Sequence, residues 1–211
     1  MSTLLHIQSS PRKERSASNE VAQAFIDSFQ KKHADAKLVT FNIWEEDLPE
    51  FNQDALNAKY AGLNGQSLTE SQAHAWEILK KYANLLHEAD VILLSVPLWN
   101  FGIPYKLKQF IDLVSQKDIL FTFHPDRGLE GILQNKKAVG IYARGLQLSK
   151  ESNYPAEQFD FQKSYTEAWL NFIGVSEIYS VIVDKTIFGE EVDKASRKVA
   201  SEDARLIAGK L

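Results

Sequence analysis

Three short segments hold the residue types from which a binding site could be assembled. The first runs Ser9-Ser10-Pro11-Arg12-Lys13-Glu14-Arg15-Ser16-Ala17-Ser18-Asn19, directly after an apolar run and directly before an amphipathic pattern. A helix starting there presents unpaired amide donors. Ser16 and Ser18 add hydroxyls and Arg12, Lys13 and Arg15 add positive charge, a donor set suited to one phosphate group. The plain alternative is a serine-capped helix preceded by a charged turn. Neither GxGxxG nor a Walker lysine occurs, so the glycine-based grips on pyrophosphate or triphosphate are absent. The second segment, Pro97-Leu98-Trp99-Asn100-Phe101-Gly102-Ile103-Pro104, follows the most apolar run of the chain. Its rings, amide, glycine and stiffening prolines could hold a flat polar heterocycle, with backbone N–H groups meeting the acceptors and rings covering the face. Alternatively, Trp99 and Phe101 plug the core beneath the loop. In the third, Ala143-Arg144-Gly145-Leu146, the glycine permits a turn that could aim adjacent amides into one crevice, while Arg144 reads more readily as a paired or solvated surface group than as a direct ligand.

Regular elements must bring these segments together. Residues 3–8, 38–43, 91–96, 138–142 and 178–183 are apolar runs of strand length, and the third is apolar almost throughout, as a strand covered on both faces should be. Between them, residues 18–32 carry Val21, Ala22, Phe25, Ile26 and Phe29 on one helical face. A helix over 69–87 opens with Thr69 and Gln72 at capping-box spacing, and another starts at Pro104 and runs to Val114. Residues 161–172 and 192–207 supply the last two. This alternation predicts a layered α/β domain with a doubly wound parallel sheet, whose carboxyl ends form a common rim where ligands bind. Residues 44–65, 116–133 and 145–160 break the alternation and read as excursions from that rim.

Composition narrows the choice further. With 24 Lys and Arg against 28 Asp and Glu in 211 residues, the chain offers no global basic field for nucleic acid. The absence of Cys excludes disulfides and thiolate chemistry. The first ten residues turn polar too early for a secretion signal and no apolar run spans a membrane, so a cytoplasmic location is expected. His6, His33, His74, His87 and His124 fall at no metal-ligand spacing, and no metal site is expected. No side chain stands out as a catalytic acid, base or nucleophile. His124, flanked by Phe121 and Phe123, is expected to line a substrate face.

Taken together, the segments resemble the flavin-dependent NADH azoreductase and quinone reductase family, a branch of the flavodoxin-like fold. The likeness covers nearly the whole chain: Ser9-Ser10, Ser16-Ala17-Ser18-Asn19, Pro97-Leu98-Trp99-Asn100-Phe101, the 107–114 helix, Lys136-Lys137-Ala138, Arg144-Gly145 and Phe172-Ile173-Gly174. Trp-Asn-Phe is its most specific element. The resemblance implies a three-layer sandwich of strand order 2-1-3-4-5 and a single FMN-binding domain over residues 1–211. It implies Ser9, Ser10, Ser16, Ala17 and Ser18 around the FMN phosphate, and Pro97, Leu98, Trp99, Asn100 and Phe101 along the isoalloxazine ring. Arg144, Gly145 and Leu146 would lie at its pyrimidine side. Two departures bear on the substrate pocket. Leu146 stands where the family commonly has a second glycine, and the slightly short 121–128 loop has His124 where an aromatic is frequent.

The chemistry so implied is transfer of two electrons from NADH, or NADPH, as hydride to flavin N5. The nicotinamide then leaves, and a quinone or aromatic azo compound is reduced at the same face in a ping-pong scheme. A homodimer with one FMN per subunit, each site completed by the neighbouring subunit, is also implied. Phe161, Tyr165, Trp169 and Phe172 on one helix are compatible with such an interface. The main alternative is an electron carrier or redox-sensing flavoprotein with little NADH turnover, since fold alone does not decide function.

Overall fold

The computed structural model describes residues 2–211. Its strands are β1 (Thr3–Gln8), β2 (Lys37–Asn42), β3 (Val91–Pro97), β4 (Phe121–His124), β5 (Gly128–Gly131), β6 (Lys137–Ala143) and β7 (Glu177–Val183). Its helices are α1 (Ala17–Lys32), α2 (Gln53–Leu63), α3 (Glu70–Glu88), α4 (Tyr105–Val114), α5 (Ala156–Phe159), α6 (Phe161–Phe172) and α7 (Glu190–Lys210). Five strands form one parallel sheet in the order β2-β1-β3-β6-β7, while β4 and β5 pair only with each other, antiparallel. The expected numbering 2-1-3-4-5 is thereby corrected. Residues 116–133 contain two strands of their own, so the sixth and seventh strands occupy the places expected for the fourth and fifth. Strands of four residues carry too short an apolar pattern to be read locally.

Side chains alternate across the sheet and divide the core in two. Leu5 and Ile7 of β1 join Ile92 and Leu94 of β3 beneath α3, α4 and α6. Leu4 joins Leu93, Val139 and Val181 beneath α1 and α7, where Val21, Phe25, Ile26 and Phe29 fill the contact as the helical spacing requires. All residues of β3 before Pro97 are buried, the outcome its uninterrupted apolar run predicts. Helix α3 starts where the capping box places it: Gln72 N–H donates to Thr69 Oγ1 at 3.3 Å, and Thr69 N–H donates to Gln72 Oε1 at 3.0 Å.

Register sets the rim. Gln8 lies opposite Ser95, Pro97 opposite Ala143, and Ala143 opposite Val183, so β1, β3, β6 and β7 end side by side. The ladder continues one step beyond each strand: Ser9 N–H donates to Ser95 O (3.1 Å), Leu98 N–H to Ala143 O (2.8 Å) and Arg144 N–H to Val183 O (2.7 Å). Between β1 and β3 the connections leave toward opposite faces, β1 into α1 and β3 into α4. In doubly wound sheets, ligands bind outside the carboxyl ends at such a topological switch. The β4–β5 hairpin docks elsewhere. Leu133 N–H donates to Ile173 O (2.9 Å) and His87 Nε2 meets Ile119 O (2.7 Å), which ties the hairpin base to the α6–β7 and α3–β3 connections at the amino-terminal edge. There a Cβ on Gly131 would fall 2.1 Å from Gly174 N, a backbone approach only glycine allows. Among the described residues, no helix is long and apolar enough to cross a membrane.

Candidate cofactor site

The first rim turn is built around serines. Ser9, Ser10, Ser16 and Ser18 are all buried, which is unusual for loop hydroxyls. Ser9 is committed: its N–H and Oγ both donate to Ser95 O, the hydroxyl at 2.7 Å, so Ser9 anchors the loop. A single 3-10 turn at Lys13–Arg15 carries the chain to Ser16, whose Oγ accepts from Asn19 N–H (3.3 Å) and lies 3.1 Å from Ser18 Oγ. Helix α1 therefore starts at Ala17, and the N–H groups of Ala17 and Ser18 find no acceptor among the described residues. Two free amides at a helix start, with adjacent hydroxyls, fit a phosphate group. Asn19 Oδ1, buried in the same turn, has no hydrogen-bond partner among the described residues. Arg12 and Arg15 stay exposed beside this turn, and Lys13, at φ +49°, approaches Glu45 at 3.8 Å.

Beneath the cradle His6 Nε2 lies 2.6 Å from Ser95 Oγ, and burial lowers the pKa of His6 from 6.5 to about 4. At neutral pH the imidazole is uncharged. The cradle thus receives no positive charge from below, and attraction for an anion rests on amides, hydroxyls and the exposed arginines.

The second turn is a strained two-residue reversal. Trp99 and Gly102 exchange N–H···O bonds of 3.0 and 2.9 Å, with Asn100 at φ +48° and Phe101 at φ +66° between them. Left-handed backbone is tolerable for Asn and unfavourable for Phe, so this conformation is one that packing must enforce. Phe101 is held on two sides. Its carbonyl accepts from Phe161 N–H at 3.1 Å, and its ring packs on Tyr154 and Phe159 with centroids 5.6 and 4.9 Å away. Trp99 stands against Trp44 at 5.7 Å and Tyr105 at 6.3 Å. Neither ring plugs the sheet core. What the turn offers outward is the exposed Asn100 amide and two N–H groups, those of Asn100 and Phe101, with no acceptor among the described residues. Pro97 and Leu98 are half-buried at its base.

At the third turn Arg144 points inward. Its guanidinium donates to Asp160 Oδ2 (2.6 Å) and Gln162 Oε1 (3.0 Å), and only 3% of its side chain is exposed. Gln162 in turn donates to Val96 O at 2.7 Å. Arg144 therefore fastens the amino end of α6 to the rim, while its carbonyl accepts from the Thr186 N–H and hydroxyl. The guanidinium is not free to meet a ligand. Gly145 and Leu146, half-buried, keep N–H groups with no acceptor among the described residues. Ile187, 70% exposed, leans over this turn, with its Cγ2 only 3.2 Å from where a Gly145 Cβ would lie. Sequence reading passed over Ile187 and Trp44, whose neighbours are distant in the chain.

Phe121, Phe123 and His124 are not brought to this rim within one chain. They sit on β4, with Phe121 packed on Phe172 at 4.8 Å near the amino-terminal edge of the sheet. A seven-residue strand separates the two edges by about 20 Å. Of the α6 aromatics, Trp169 is core and only Phe161 is strongly exposed, at 59%.

A phosphate-suited helix start at a switch point, beside a strained donor turn, is the mark of a mononucleotide-binding doubly wound domain. A family model described as the flavodoxin-like fold matches residues 2–206, and the chain belongs to that family. Over all 211 of its residues it is 54% identical to FMN-dependent NADH:quinone oxidoreductase 3 of Pseudomonas fluorescens, covering 98% of that protein. It is 47% identical to FMN-dependent NADH:quinone oxidoreductase 9 of Burkholderia lata, with 99% of both chains covered. The chain is thus a member of the FMN-dependent NADH:quinone oxidoreductase family. Among solved structures, an azoreductase of Bacillus anthracis aligns over 100% of both chains at a TM-score of 0.89 and 26% identity.

Proposed function

We propose that residues 1–211 act as one FMN-binding unit that transfers two electrons from NADH to quinones and, by the same route, to aromatic azo compounds. The observation that carries this reading is the alignment of three neighbouring rim turns, each presenting unpaired N–H donors: Ala17 and Ser18, Asn100 and Phe101, Gly145 and Leu146. The first pair suits the phosphate. The second and third suit the acceptor edges of an isoalloxazine ring. FMN, when bound, supplies the capacity to accept a hydride from nicotinamide and to pass two electrons to a second substrate. The protein's part is positioning: Trp99 and Phe101 are locked by aromatic neighbours, and Arg144 with Gln162 and Asp160 holds the strand ends that carry the donors. No side chain of the rim is needed as a proton donor, because an open crevice admits water.

The hairpin favours a homodimer. Phe121, Phe123 and His124 are too far from their own rim to line it, and Phe123 and Leu129 expose 53% and 58% of their surface. A second copy that brought this hairpin to the first copy's crevice would cover both. The cytoplasm, where reduced nicotinamides are available, is the compartment this chemistry requires.

Anaerobic stopped-flow mixing of FMN-loaded protein with NADH, then NADPH, then benzoquinone or a simple azo dye tests the reading. Rapid bleaching by the nicotinamide and rapid return of the yellow colour with the oxidant are expected. Slow bleaching by both nicotinamides would select the electron-carrier alternative, and a chain that takes up no FMN would end both.

A further inference from the structure

Trp44 belongs to none of the three donor turns, yet it touches two of them. It leaves β2 on a backbone fixed by Ile43 N–H donating to Gln8 O (3.2 Å) and its own N–H donating to Asn42 Oδ1 (3.1 Å). Its indole Nε1–H donates to Ser9 O at 2.9 Å. Since both donors of Ser9 are already spent on Ser95 O, the indole fixes the remaining polar group of that residue. Peptide planarity extends the effect by one residue. A trans peptide directs the Ser10 N–H opposite to the Ser9 carbonyl, so the indole that holds the carbonyl also aims the amide with which the cradle begins. That Ser10 N–H has no acceptor among the described residues. The other side of Trp44 supports the ring turn, with Trp99 at 5.7 Å and Tyr105 edge-on at 5.3 Å.

We propose that Trp44 is a positioning residue for FMN, aiming the phosphate cradle through its indole N–H and supporting the isoalloxazine turn through its ring. The inference rests on the FMN reading above and assigns two separable tasks to one side chain. Trp44→Phe removes the N–H and keeps a ring against Trp99. Trp44→Leu removes both.

The test measures dissociation constants of the full-length chain for FMN and for riboflavin, which lacks the phosphate, by flavin fluorescence, alongside melting temperatures. Trp44→Phe should weaken FMN about three- to tenfold, the effect of one hydrogen bond, while riboflavin affinity changes less than about twofold. Trp44→Leu should weaken both flavins. If Trp44→Phe affects FMN and riboflavin equally, or neither, the proposal is overturned, whatever the melting temperature does. Should Trp44→Leu fail to fold, the FMN-to-riboflavin ratio of Trp44→Phe still decides. Failure of the unsubstituted chain to bind FMN would instead remove the FMN reading, and this inference with it.

Discussion

Burial of His6 makes acid stability a quantitative check on the packing beneath the cradle. The side chain is 2% exposed, bonded to Ser95 Oγ at 2.6 Å, and takes a proton only at about 4 where an ordinary histidine does so at 6.5. The unfolded chain protonates this ring near 6.5. Between 6.5 and about 4 the unfolded state therefore binds more protons, and acid draws the equilibrium away from the native state. The contribution is intact above 6.5 and its loss levels off below about 4. At about 1.36 kcal/mol per pH unit, linkage gives a loss of roughly 2 kcal/mol at about pH 5 and about 3 kcal/mol at about pH 4. Glu130, held low by the hydrogen bond from Arg127, and Glu177, held low by Tyr179, add their own losses at lower pH, so a subtraction is needed. His6→Gln supplies it, since glutamine can bond to Ser95 and does not titrate. Urea unfolding of both proteins from about pH 7.5 to about pH 4 should show the wild-type stability falling relative to the variant by these amounts. A difference that stays constant over that range refutes the burial argument.

Other consequences follow from single contacts. Asp160→Ala strands the buried Arg144 guanidinium and removes the cap accepting from Lys163 N–H at 2.9 Å, so urea unfolding should register a loss of about 3 kcal/mol or more. Gly131→Ala places a methyl group 2.1 Å from backbone of Gly174 that cannot yield, and the unfolding free energy from urea titration should fall by about 3 kcal/mol. Ser16→Ala should cost about 1 kcal/mol as the Asn19 cap is lost, and should weaken FMN more than riboflavin in a fluorescence titration. Leu146→Gly frees a half-buried rim position without removing its amide. Steady-state kinetics should then show a changed KM for the quinone, with FMN affinity held within about twofold.

The chain's own pattern determined the sheet strands and the longer helices, though the short local hairpin of β4 and β5 and the helix α2 stayed hidden within segments read as excursions. Apolar runs of strand length fixed the five sheet strands because a parallel strand covered by helices buries side chains on both faces, and Thr69 with Gln72 fixed the start of α3 because a cap is completed within four residues. The serines of the first turn and the Trp-Asn-Phe element were legible as donors for the same reason. Tertiary structure alone decided which way those groups face. Ser9 reads as a phosphate donor until Ser95, 86 residues away, takes its hydroxyl. Arg144 reads as a solvated or paired surface group, or by resemblance as a neighbour of the flavin's pyrimidine side, until Asp160 and Gln162 turn it inward. Phe121, Phe123 and His124 read as rim residues until Ile173 and His87 tie their hairpin to the opposite edge of the sheet. The role of the Trp44 side chain carries no local signal, because the partners of its indole lie 35 residues and more along the chain. Propensity and periodicity act over a few residues, whereas a hydrogen bond or ring contact formed across the sheet depends on strand order and register, which no short stretch of sequence contains.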